Sequence, residues 1–295
     1  MDSLDGRLVV LGATGFVGGH VVDRARELGW EVLGLSSKDM DLASPNGAEM
    51  LSAILRDGDT VVHGAAIVPT RNAGEVSQNL VVTQSVVDAI AGHEIAQLVV
   101  VSSDAVYGSE SGIISEASAC SPDSMHGIMS LAREMMCREV KTPVFTIVRP
   151  APIYGVGDPH KSYGPNRFIG QMVDSGEITL FGEGAAMRDH VFIDDVADVI
   201  VRTITARESG VINIASGQSI SFAALAELIC EAGTDGSRTT VVGSESSPTF
   251  RSYDISNLVR LFPDFEPVPP AVGIRRVVAA VQGSISSSVA TSSYL

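Results

Sequence analysis

Short apolar runs alternate along the chain with longer stretches in which apolar residues recur at helical spacing. RLVVLG (7–12) is β-branched, apolar and closed by glycine, as a strand buried on both faces should be. GFVGGHVVDRARELG (15–29) follows with helical spacing and a glycine stop. The strand pattern returns in EVLGLS (31–36), DTVVHGAA (59–66), AQLVVVSS (96–103) and TPVFTIVRP (142–150). Helices are expected around 46–56, across 74–92 and through DSMHGIMSLARE (123–134). Strands alternating with helices of this length predict the α/β class with a doubly wound parallel sheet.

The rhythm changes after Pro150. APIYGVGDPHKSYGPN (151–166) is rich in Gly, Pro and Tyr and reads as loop. NRFIGQMVDSGE (166–177) reads as a helix. MRDHVFIDDVADVIVRTI (187–204) reads as a short strand, then a helix capped by Asp194 or Asp195. GVINIAS (210–216) is a strand that crosses back to the main sheet, and SFAALAELICEAG (221–233) is a helix opened by Ser221. Residues 1–155 and 187–216 are therefore assigned to the main domain. Residues 156–186 and 217–282 form a smaller region, and 283–295, with no buried pattern, a disordered tail.

Composition adds limits. Apolar residues make up 45 % and charged residues 19 %, enough apolar character for a packed core. A formal net charge of −15 repels phosphate backbones, so nucleic acid is not the expected partner. No apolar run approaches membrane-spanning length. The three cysteines, Cys120, Cys137 and Cys230, form no CxxC, so neither a disulfide framework nor a metal site is expected. The first strand begins too early to leave room for a signal peptide, and a cytoplasmic location is expected. The expected partner is a small-molecule substrate; oligomeric state is left open.

Gly12, Gly15 and Gly18 form G-x-x-G-x-x-G between a strand and a helix. Without side chains there, backbone turns tightly and approaches a pyrophosphate, and the helix N-terminus faces that anion. This marks the main domain as Rossmann-type and dinucleotide-binding, with Gly12, Thr14, Gly15, Phe16, Val17 and Gly18 at the cofactor. The end of the second strand selects the cofactor. It carries Ser36, Ser37 and Lys38, groups that accept a 2′-phosphate, so NADP is favoured, with Asp41 and Leu42 also placed along the cofactor. Asp39 and Asp41 are rival acidic groups that would instead hold a ribose hydroxyl of NAD.

With these residues in place, the chain resembles the extended short-chain dehydrogenase/reductase family, its epimerase/dehydratase-like branch, from residue 7 to about 280. GATGFVGGHV resembles the family's cofactor loop. DTVVHGAA resembles the third-strand segment, which implies that His63, Gly64, Ala65 and Ala66 line the cofactor. Asn79 sits where the family's helix carries an Asn. VVVSSDAVYG implies an active-site Ser103, and VRPAPIYG implies Pro150 and Ile153 at the nicotinamide. The family's Y-x-x-x-K, however, falls on HGIMS, so His126 replaces the tyrosine and Ser130 the lysine. Where the dehydratases carry Asp–Glu, this chain has Asp104–Ala105. Sugar dehydration and epimerisation by the family's usual route are disfavoured.

Reduction of a ketone still requires a proton. Three sources stand open: His126, whose imidazole titrates near neutrality; Ser103, a poor net acid; and a phenol or enol on the substrate itself. Ser103 is equally a cap or turn hydroxyl, and His126 equally a satisfied side chain. Tyr107 and Tyr154 lie in segments that look structural. Arg188 reaches either a ligand or a nearby Asp, and Arg71 either lines the cleft or is solvated. Loss of the Tyr–Lys pair also resembles the atypical ketoreductases that tailor aromatic polyketides of the angucyclinone type. The expected activity is thus NADPH-dependent ketone reduction on a flat, phenol-bearing substrate. The alternatives are an inactive NADP-binding protein or a nucleotide-sugar-modifying enzyme.

Overall fold

The computed structural model describes residue 4 and residues 6–110, 112–159, 164–233, 236–243 and 248–292. The first half of the described chain runs β1 (Leu8–Leu11), α1 (Phe16–Glu27), β2 (Val32–Leu35), α2 (Gly47–Ser52), β3 (Thr60–His63), α3 (Ala73–Ile90) and β4 (Gln97–Val101). A 3-10 turn (Asp104–Tyr107) follows, then β5 (Gly112–Ile114), α4 (Met125–Cys137), β6 (Phe145–Pro150) and β7 (Ile153–Tyr154). The rest runs α5 (Gly164–Ser175), β8 (Glu177–Phe181), β9 (Met187–Asp189), β10 (Val191–Phe192), α6 (Ile193–Thr205) and β11 (Gly210–Ile214). It ends with β12 (Ser219–Ser221), α7 (Phe222–Ala232), β13 (Arg238–Val242), β14 (Arg251–Tyr253), α8 (Ser256–Leu261) and α9 (Pro270–Ser292).

The runs read as buried strands form a six-stranded sheet in the order β11-β6-β4-β3-β1-β2, all parallel. Every residue of β1 and β3 is buried, because helices cover both faces. One face packs on α1 and α6 through Val21, Val22, Val196 and Ile200. The other packs on α2, α3 and α4 through Leu51, Val86, Ile90 and Cys137. A third core joins Tyr154, Phe168, Ile178, Leu225 and Ile274 from β7, α5, β8, α7 and α9. The register pairs Leu11 with Leu35 and His63, and Val101 with Val148, so the carboxyl ends of the strands share one edge. That edge, where the strand order reverses from β1 to β3, is where ligands bind in such sheets.

Three expectations are corrected. Helix α6 is capped by Phe192, not by Asp194 or Asp195, which lie in its first turn. Asp195 instead accepts the Val268 N–H at 2.9 Å. Segment 151–166 is not all loop: β7 lies within it, pairing with β10 from outside it, and α5 begins at Gly164. Helix α9 is continuous to Ser292, where disorder was expected from residue 283; no proline interrupts it. Residues 293–295 of that tail lie outside the described residues. No helix among the described residues is long and apolar enough to cross a membrane.

Candidate active site

The glycine loop is shaped as its spacing implied. Gly12 has φ 87°, and a Cβ there would stand 2.9 Å from the Ala65 backbone. A Cβ on Gly18 would overlap the Gly12 carbonyl, so α1 packs directly on the loop. Gly15 caps α1 in extended conformation, and no side chain bonds the helix end. The first-turn N–H groups of α1 are therefore available to an anion.

A cavity of about 570 Å³ opens beside this loop. Gly12, Gly15, Phe16, Val17 and Gly18 form one wall. Gly64 and Ala66, beyond β3, form the floor with Ile67, Val68 and Pro69. Asn79 on α3 holds this floor: its Oδ1 accepts the Ile67 N–H at 2.7 Å and its Nδ2 donates to the Ile67 carbonyl at 3.0 Å. Pro150 and Ile153 close the far wall, and Ser103 and His126 face it.

Other assigned residues stand apart from the cavity. Thr14 is exposed, and Ala65 and Leu42 pack into the apolar layer under α2 and α3. Ser36, Ser37 and Lys38 sit past the end of β2, the last two exposed. Asp39 does not reach outward as a ribose ligand would. Its Oδ2 accepts the Ser36 N–H at 2.8 Å and the Ser36 hydroxyl at 2.7 Å, which holds its carboxyl below the usual range. Asp41 is similarly turned, accepting the Ala43 N–H at 2.9 Å. Arg71 is exposed and outside the cavity. Arg188 makes no carboxylate pair among the described residues; it donates to the Met187 and Thr249 carbonyls at 2.7 and 3.1 Å.

The reacting end has little acid to offer. Ser103 caps the 3-10 turn, accepting the Ala105 N–H at 3.1 Å, and its hydroxyl points to Asp104 at 3.3 Å. Asp104 is bound by the Tyr253 hydroxyl at 2.6 Å and by Arg251 at 3.5 Å. The Nδ1 of His126 is buried with no hydrogen-bond partner among the described residues. Burial first, and the Arg133 charge besides, push its pKa below 6.5 against the pull of Asp104. The ring is therefore neutral at rest near pH 7, which weakens it as a proton donor. Tyr107 donates to Asn213 at 2.7 Å and accepts from Arg149 at 2.9 Å, and the Tyr154 hydroxyl abuts Gly273. Neither tyrosine faces the cavity.

Two arrangements escaped the sequence reading. Ser130, Arg133, Glu134 and Cys137 share one buried stripe of α4. Glu134 is gripped by Arg149 through bonds of 2.8 and 2.6 Å and by the Ser102 hydroxyl at 2.5 Å, which ties α4 to the ends of β4 and β6. His190 also lines the cavity, and burial, with the Arg188 charge adding, pushes its pKa down to about 3. Charged residues on an otherwise buried helix stripe were the available signal for the first.

The family model of the NAD dependent epimerase/dehydratase family matches residues 8–215. The chain belongs to this family. Among its relatives, a UDP-glucose 4-epimerase of Mycolicibacterium smegmatis is 27 % identical over 94 % of this chain and 96 % of its own. A dTDP-4-dehydro-6-deoxy-D-allose reductase of a Streptomyces species is 26 % identical, covering 92 % and 95 %. The fold superposes on MoeE5, solved with UDP-glucose and NAD, with a TM-score of 0.83, 23 % identity and coverage of 95 % and 100 %. The family's fold is thus present here, and on the glycine loop and the cavity beside it the structure offers residues that would suit a nicotinamide dinucleotide.

Proposed function

We propose that this chain is an NADPH-dependent ketoreductase acting on a polycyclic, phenol-bearing aromatic ketone, with the proton supplied by the substrate's own phenol. One observation carries the reading: among the described residues lining the cavity there is neither a tyrosine hydroxyl nor a lysine amine. When bound, the cofactor supplies the hydride that reduces the carbonyl carbon. The glycine loop and the α1 N-terminus would hold its diphosphate, and Pro150 and Ile153 would stand on its nicotinamide side. Ser36, Ser37 and Lys38 favour a 2′-phosphate, because the neighbouring Asp39 is occupied by Ser36. Ser103 offers its hydroxyl to the substrate oxygen, which gains its proton from the adjacent phenol; water then reprotonates the phenolate. Phe16, Ile67, Val68, Pro69, Met129 and Pro152 make the walls apolar, as a flat aromatic requires.

A second reading, nucleotide-sugar modification, draws on the relatives' names and on Arg188 and Arg251, which line an adjoining cavity of about 500 Å³ beside Asp104. Oxidation of NADPH followed by absorbance across a panel of aromatic polyketones tests the first reading. Turnover there, without stabilisation by UDP or dTDP in a thermal-shift screen, supports it. Stabilisation by those nucleotides without turnover sinks it in favour of the second.

A further inference from the structure

Arg133 lies on α4 one turn beyond Ser130 and is 3 % exposed. It lines the cavity. Its Nε reaches Thr83 Oγ1 at 3.3 Å and its Nη1 the Val101 carbonyl at 3.3 Å. Its Nη2 reaches the Ala65 carbonyl at 3.2 Å, the His63 carbonyl at 3.4 Å and His63 Nε2 at 3.2 Å. All these contacts are long and made to neutral groups. No carboxylate pairs with Arg133 among the described residues, because adjacent Glu134 is taken by Arg149. A guanidinium buried without counter-charge is costly, and burial accordingly lowers its affinity for its proton. Nη1 carries two hydrogens and meets one acceptor among the described residues, which leaves a donor over.

Its position says what that donor is for. Ala65 abuts Gly12 of the phosphate loop. Val101 ends β4, beside β6, which ends at Pro150 on the nicotinamide wall. The guanidinium thus lies between the diphosphate end and the nicotinamide end of the site. We propose that Arg133 anchors the cofactor by hydrogen-bonding the hydroxyls of its nicotinamide-side ribose, from one helical turn below the position where Ser130 leaves no amine. This rests on the family's dinucleotide site and not on the ketone reading, so the two fail separately.

The test is binding, not turnover. Dissociation constants for NADH, ADP-ribose and ADP are measured by titration calorimetry on the wild type, Arg133→Met and Arg133→Gln. ADP-ribose keeps the second ribose, and ADP lacks it. Both variants are expected to weaken NADH and ADP-ribose by roughly tenfold or more while ADP binding stays within about twofold, as loss of a charge-assisted hydrogen bond predicts. The glutamine variant keeps polar atoms for the buried carbonyls and serves if the methionine variant does not fold. Equal weakening of all three ligands makes Arg133 merely structural and overturns the proposal, as does no weakening of any. A wild type that binds neither NADH nor NADPH overturns the cofactor site and this assignment with it.

Discussion

Replacing His126 by Phe separates the two proton routes. The ring stands at the start of α4, and a Cβ on the next residue, Gly127, would overlap the Ala105 carbonyl, so the helix end is fixed against the 3-10 turn. The imidazole has no hydrogen bond to lose among the described residues, and phenylalanine keeps a ring of similar size. A positioned general acid contributes about 10²–10⁴-fold, or roughly 3–5 kcal/mol of barrier. With the substrate as donor, His126→Phe should lower kcat by less than about fivefold, roughly 1 kcal/mol. The pH profile provides an independent reading. Because the pKa of His126 lies below 6.5, an imidazolium donor would already be scarce at neutrality. A rate depending on it would fall about tenfold per pH unit across the neutral range, and the phenylalanine variant would lose that slope. The expected wild-type profile has no such slope, and methylating the substrate's neighbouring phenol should abolish turnover. Steady-state kinetics from pH 5.5 to 8.5, about the range His titrates in, measures all of this. A loss of about a hundredfold in the variant, with disappearance of a neutral-range slope, would refute substrate protonation.

Gly18→Ala places a methyl on the Gly12 carbonyl and should cost at least about 1–3 kcal/mol of stability together with dinucleotide binding, read by urea denaturation and calorimetry. Lys38→Ala should weaken NADPH about fivefold and leave NADH unchanged, as loss of one exposed ion pair predicts; equal effects would remove the basis for preferring NADP. Asp195 is 5 % exposed, and burial, with Asp194 and Asp198 adding, raises its pKa to about 6 from 3.8. The folded state binds the extra proton between those values, so stability falls as pH rises through 6 and recovers as pH falls toward 3.8. Asp195→Asn should therefore stabilise the protein by up to about 3 kcal/mol at pH above 7, with the gain vanishing near pH 4, as urea midpoints at both would show.

The alternation of β-branched runs with helical spacing, and the glycine triplet, determined the sheet, its parallel character and the cofactor loop. These are local signals: burial of a strand on both faces and the close approach of α1 to Gly12 are each written within a few consecutive residues. Ser221 as a helix cap was legible for the same reason. The small pairings β5–β14, β9–β12 and β8–β13 were not, because each joins segments far apart in sequence with one to three apolar residues apiece. The site's electrostatics depended on tertiary structure more completely. Whether Asp39 faced a ribose or its own turn, whether Glu134 was free, and what surrounded Arg133 were decided by which groups folding brought within hydrogen-bonding reach. The sequence by itself puts His126 and Ser130 where the family resemblance leads one to expect Tyr and Lys. Only the fold decides that His126 is desolvated, and that Arg133, two turns further along α4, is buried without a carboxylate partner among the described residues, because burial and charge proximity are properties of space and not of spacing.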